Sequence, residues 1–281
     1  MAETPREQGN CDLDLGGSFL KDLPPSIPRY TYTGESQFLD ILQSEYARLR
    51  SSNTASEFLL FHASKDTIKS IFNPQNGDTS LARNFNSFDT TEQLLLAKMS
   101  LDPHGVAAHF MNIAMYNVFN TMGLGNIIHG HPGVKFEGND RGKVADYSWG
   151  PVRGPRDGPR SPSVALEVAY SETDVKLNSD VRFWLDPDSS QANICLTLRI
   201  NRSRPEIRIE KWERRNNRAH RSQIIWITRK GDQSNVSHHP LVIPFEGLLR
   251  RQSSCPGEKD LEISQGELKK VAEAIWKAQE L

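Results

Sequence analysis

The sequence predicts an α/β protein, and three observations lead to that expectation. From residue 125 onward, short runs rich in β-branched and aromatic residues recur at 134–138, 144–149, 164–170, 194–201, 206–213 and 223–228, each long enough for one strand. Residues 102–123 precede them with Val106, Phe110, Ile113, Met115, Val118 and Phe119, an apolar face suited to packing on a sheet. Residues 175–185, between the third run and the fourth, read as a second helix. The order is helix, strands, helix, strands. A chain of 281 residues can bury one large core or two modest ones.

Three segments follow from a pass along the chain. Residues 1–30 hold Pro5, Pro24, Pro25 and Pro28 with little periodicity and read as a flexible arm. Residues 31–101 read as a helical extension. Phe38, Leu39, Ile41, Leu42, Tyr46 and Leu49 give a helix over 36–51, and a second covers 56–72 and stops before Asn73-Pro74. Thr90-Thr91-Glu92-Gln93 has capping-box form and opens a third, over 91–99. Residues 102–281 read as the core. Asp102 is its N-cap candidate, Pro103 suits the first turn, and Gly123 suits a left-handed ending. Residues 153–162 form a Gly-, Pro- and Arg-rich loop, and Ser264-Gln265-Gly266-Glu267 caps a final helix running to about Gln279.

Composition narrows the class. Hydrophobic residues at 37% and charged residues at 25% describe a soluble globular chain. The longest apolar stretch, 106–119, is interrupted by His109, Asn112 and Asn117 and is too short to cross a bilayer, so no membrane partner is expected. The first ten residues lack an apolar secretory stretch, and three cysteines (Cys11, Cys195, Cys255) share no metal-ligand spacing. An intracellular location, cytoplasm or nucleus, is expected, with free thiols. The net charge of −1 conceals a basic stretch: residues 199–230 hold eleven Lys and Arg against three Glu.

Chemistry concentrates in 145–185. The run Val164 to Tyr170 is apolar except for Glu167, and a charge in a strand buried on both faces needs compensation. Asp146 supplies a second carboxylate 21 residues earlier. Glu167 is therefore either a salt-bridged structural residue or one half of a divalent-metal site.

The pattern Asp146, Glu167-Val168-Ala169-Tyr170-Ser171-Glu172, Leu177, Asp180 and Trp184-Leu185 resembles the PD-(D/E)XK nuclease superfamily, and within it a fungal branch of uncharacterised restriction-endonuclease-like proteins. The likeness spans about 134–276, and its E-V-x-Y-S-E core is its most specific part. It implies a restriction-endonuclease-like mixed sheet flanked by helices. It also implies Mg²⁺ or Mn²⁺ held by Asp146, Glu167 and the Val168 carbonyl, to polarise a scissile phosphate and lower the pKa of an attacking water. Ala145 stands where the motif has proline, and Ala169 where it has lysine. Lys176, on the next helix, is the candidate for a migrated catalytic lysine beside Asp146 and Glu167, and Arg182 is the other cation in reach.

The basic stretch has two readings. Arg202, Arg214, Arg215 and Arg218 cluster near turns and could track a nucleic-acid backbone, or they belong to a solvated hairpin. Asp180 reads as helix surface or structural support, and Tyr147 and Trp149 as aromatic core. His129, His131, His238 and His239 read as loop residues. Three functions stay open: a metal-dependent nuclease with a migrated lysine, an inactive nuclease-fold module binding nucleic acid or protein, and an enzyme of this fold turned to small-molecule chemistry. Oligomeric state is not legible.

Overall fold

The computed structural model describes residues 11–15, 19–52, 54–74, 77–133, 135–137, 140–152, 162–170, 174–190 and 192–281. Its larger sheet has eight strands. Neighbours along it are β1 (Asp12–Asp14), β13 (Arg218–Lys230), β12 (Glu206–Arg215), β11 (Ile194–Ile200), β10 (Val164–Ala169), β9 (Tyr147–Pro151) and β6 (Ile128–Pro132), with β14 (Gln233–Val236) also on β13. A six-stranded sheet runs β2 (Arg29–Thr31), β3 (Phe58–His62), β5 (Leu94–Lys98), β4 (Phe85–Asp89), β8 (Arg141–Val144), β7 (Lys135–Glu137). A pair, β15 (Leu241–Ile243) and β16 (Leu261–Ile263), stands apart. The helices are α1 (Glu35–Ser51), α2 (Lys65–Phe72), α3 (Asp102–Thr121), α4 (Asp174–Leu185), α5 (Phe245–Leu249) and α6 (Gln265–Ala278).

The expected fold class holds: a mixed sheet flanked by helices, in the order α3, β6 to β10, α4, β11. Strand β10 is antiparallel to β9 and parallel to β11. Parallel neighbours need a crossover, which α4 provides. Every residue of β10 is buried. Val164, Leu166 and Val168 face a core shared with α3 and α6, while Ala165 faces Val181, Trp184 and Leu185 of α4. Side chains alternate along a strand, so Glu167 points to the α4 side.

Several expectations need correction. Residues 11–15 and 19–30 are not a flexible arm. β1 pairs with the edge of β13, and Phe19, Leu20, Leu23 and Ile27 are buried against α4. Residues 1–10 and 16–18 lie outside the described residues. The helices expected at 56–72 and 91–99 are instead β3 followed by α2, and β5. Runs such as Phe58-Leu59-Leu60-Phe61 and Leu94-Leu95-Leu96-Ala97 have no period, and pairing decides their state: β5 hydrogen-bonds to β3 on one side and β4 on the other. Within the supposed capping box, Asp89 Oδ1 instead accepts from the Thr91 and Glu92 N–H groups, both at 3.0 Å, and makes a turn. Asp102 is the first helical residue of α3 rather than its cap. Ser264 does cap α6, accepting from Glu267 N–H at 3.3 Å.

Candidate functional site

Asp146 sits between β8 and β9 and is fastened to β10 by two bonds. Its N–H donates to the Leu166 carbonyl at 3.2 Å, and the Val168 N–H donates to its Oδ2 at 2.7 Å. Lys98, the last residue of β5, places Nζ 2.8 Å from both Asp146 oxygens. His104, in the first turn of α3, brings Nε2 within 3.1 Å of Oδ1, off the hydrogen-bonding line, and Nδ1 within 3.9 Å of Glu57 Oε1. Glu57 in turn accepts from the Tyr170 N–H at 3.2 Å. Burial pushes the Asp146 carboxyl up, but His104 and Lys98 outweigh it and hold the group well below the usual carboxylate range.

Glu167 belongs to a second, deeper cluster. Trp184 of α4 donates its indole N–H to Oε1 at 2.6 Å, and Lys143 of β8 stands 3.2 Å from Oε2. Lys143 is closer to Asp180, at 2.8 Å, and also donates to Asn86 Oδ1 at 3.1 Å. Lys176 reaches both Asp180 oxygens at 2.6 Å and lies 4.5 Å from the centre of the Phe58 ring. Glu167, Lys143, Lys176 and Asp180 are each 1% exposed or less.

These charges do not share their protons evenly. Burial works against the Lys143 ammonium, yet Asp180 and Glu167 overcome it and raise its pKa. Asp180 is held low despite burial, because Lys143 and Lys176 both face it. Glu167 goes the other way: burial drives it up to about 7, Lys143 pulls it down, and Asp180 and Asp146 push it up again. Lys143 is thus shared between two carboxylates, and the nearer one has a lysine of its own. Glu167 is therefore the carboxylate of this cluster whose pKa is raised rather than lowered. The Cys195 thiol behind it is raised by burial and by the same carboxylates.

A cavity of about 290 Å³ opens beside the first cluster, lined by Arg83, Asn84, Asn86, Lys98, His104 and Asp146 among others. Among the described motif acids, Asp146 lines this space, its side chain 10% exposed.

Asp146 meets Val168 through the Val168 N–H rather than its carbonyl, whereas the Glu167 carboxylate lies in the second cluster with Trp184 and Lys143. Lys176 and Asp180 are buried partners of each other, neither solvated nor on the helix surface. The ammonium groups beside the motif carboxylates belong to Lys98 and Lys143, which sequence reasoning passed over together with Glu57 and His104. For Glu57 and Lys98 the signal resembled that of Glu167. Glu57 opens the run 57–61 and Lys98 closes 94–98, so each is a lone charge at the end of an apolar strand. Ser171 and Glu172 lie outside the described residues.

The hairpin arginines are occupied in varied ways. Arg202 donates to the Ser52 and Ala55 carbonyls at 3.2 Å and stacks 4.8 Å from the Tyr170 ring. Arg214 donates to the Ala192 carbonyl at 3.0 Å, Arg215 pairs with Glu213 at 3.0 Å, and Arg218 pairs with Asp14 at 3.0 Å. Arg182 donates to the Asp14 carbonyl at 3.1 Å. His129 and His131 lie on edge strand β6, with ring centres 5.7 Å apart.

The donors do not fit a divalent ion as they stand. Lys98 lies across both Asp146 oxygens, the Val168 N–H bonds Oδ2 and His104 stands beside Oδ1, while Glu167 lies behind Trp184 and Lys143. Among the described residues, no group of three or more His, Cys, Asp or Glu is placed to hold a metal. Among the same residues, no helix is long and apolar enough to cross a membrane.

No family model and no curated protein matches the chain. Among solved structures it is similar to one described as "a putative nuclease belonging to DUF820 from Anabaena variabilis ATCC 29413", at 11% identity and a TM-score of 0.35, over 64% of this chain and 87% of that one.

Proposed function

We propose that this chain is a nuclease-fold module that grips a phosphodiester of nucleic acid at the cavity beside Asp146. The cavity carries this reading. It gathers Arg83, Lys98, His104 and two amide side chains next to Asp146, the described motif carboxylate that lines it. Its size is at the lower bound for small-molecule pockets and suits a phosphate with its sugar. Cationic and amide donors supply the charge-assisted bonds that a phosphate oxygen takes. The likeness to PD-(D/E)XK proteins, and to their fungal branch, rests on the motif around Glu167 and gives the class of ligand.

Metal-dependent hydrolysis is the second reading, favoured by Asp146 standing on the cavity wall. One experiment separates the two. Parent, Arg83→Ala and Glu167→Ala are tested on labelled single- and double-stranded DNA and RNA, by anisotropy and by gel, in Mg²⁺, in Mn²⁺ and in chelator. The proposal expects salt-sensitive binding that survives the chelator and weakens in Arg83→Ala, with no cleavage. Cleavage that needs metal and vanishes in Glu167→Ala would establish the second reading. Absence of binding to every probe at low salt would end the first.

A further inference from the structure

We infer that the ammonium groups of Lys98 and Lys143 occupy the positions where the motif carboxylates would otherwise hold a divalent cation, so that the chain keeps its acid pair without a metal. Each acid has a lysine ammonium against it, in two different arrangements. At Asp146 one ammonium bridges the two oxygens at 2.8 Å each, while the Val168 N–H adds a fourth-side contact at 2.7 Å. At Glu167 one ammonium bridges that residue and Asp180, at 3.2 and 2.8 Å. Bridging carboxylate oxygens is the task of a bound cation, and Glu167 and Asp180, which share Lys143, repel unless positive charge lies between them. Here that charge is covalently attached.

Both lysines come from the six-stranded sheet, Lys98 from β5 and Lys143 from β8. That sheet packs on the α4 side of the larger one, with Phe58, Leu60, Leu94 and Leu96 in the core cluster that holds Trp184. It therefore delivers the ammonium groups and closes the approach to Glu167 at once. A metal ion reaching Glu167 would have to expel Lys143, which is 0% exposed. Asp146 is different, because the cavity leads to it, with Lys98 across both of its oxygens and His104 beside Oδ1.

The inference stands apart from the ligand proposal, since it needs no nucleic acid, and it can be tested alone. Protein dialysed against chelator is titrated with Mg²⁺ and with Mn²⁺ while thermal unfolding is followed. The parent is expected to show no rise in Tm beyond that of Asp146→Asn, which measures ions bound elsewhere. Lys98→Ala, by vacating the cation position that the cavity serves, is expected to gain a Mn²⁺-dependent rise over the parent. A rise in the parent that Asp146→Asn loses would overturn the inference, and so would a folded Lys98→Ala that stays indifferent to Mn²⁺. Should Lys98→Ala fail to fold, Lys98→Gln is the second variant, and the comparison of parent with Asp146→Asn decides by itself.

Discussion

Glu167 shows how one buried charge can set a pH dependence. Its folded-state pKa is raised to about 7, first by burial, against an ordinary value of 4.5. The folded state then binds a proton more readily than the unfolded one, and stability falls as pH rises through that window. The sign is opposite for Asp146 and Asp180, both held low: their contribution is present above about pH 4 and is lost as pH falls through their folded values. Urea unfolding of the parent between pH 5 and pH 7.5 should therefore show stability declining with pH, a slope that Glu167→Gln flattens. A Gln variant with the parent's slope would mean that the proton sits elsewhere. Lys143 gives the complementary case. Lys143→Met takes from Asp180 and Glu167 the ammonium they share, and breaking a buried pair in this way costs about 3–5 kcal/mol. A loss under 1 kcal/mol in denaturant melts would show that the lattice relaxes around the gap. At this scale the sequence was partly legible. Glu167 announced itself as a charge in an apolar run, whereas Lys143 follows a glycine in a short polar stretch, where a lysine is ordinarily solvated.

Elements were legible where period or caps are local. The helix at 36–51 and the capping box at Ser264 needed no partner to be recognised, and α1 and α6 form where they were expected. Strands β3 and β5 were not legible, because an apolar run of five residues carries no period and its state is decided by what pairs with it. Their connection makes its own prediction. Gln93 holds φ +56, a left-handed conformation, between the turn on Asp89 and the start of β5, and its carbonyl accepts from the Ala63 N–H at 3.0 Å. Glycine adopts this φ without steric cost, whereas a β-branched residue there is a steric outlier. Gln93→Gly should leave stability unchanged or raise it by less than about 1 kcal/mol, and Gln93→Val should lower it by about 1–2 kcal/mol. Chemical denaturation of the two variants side by side checks the order. A valine variant as stable as the glycine one would mean that this turn does not restrain β5.

For the whole molecule, the question is which cations face a partner. The eleven Lys and Arg of 199–230 look like a nucleic-acid surface in the sequence because spacing shows charges and not what they are paired with. In the fold, Arg215 and Arg218 meet Glu213 and Asp14, and Arg214 is turned onto a backbone carbonyl. The acidic partners come partly from β1, a strand far away in sequence, so no local reading could have found them. A phosphate contact made by a cation removes about one unit from the slope of log K against log salt, with about −0.9 per contact on duplex DNA. If the cavity holds the phosphodiester, Arg83→Ala should flatten the slope by about one unit. Neutralising Arg214, Arg215 and Arg218 together should change it by less, since those arginines must first leave partners that already satisfy them. Anisotropy titrations from low to moderate salt read both slopes directly. If the triple variant flattens the slope by about three units while Arg83→Ala leaves it alone, the phosphate backbone runs along the hairpin and the cavity is not its seat.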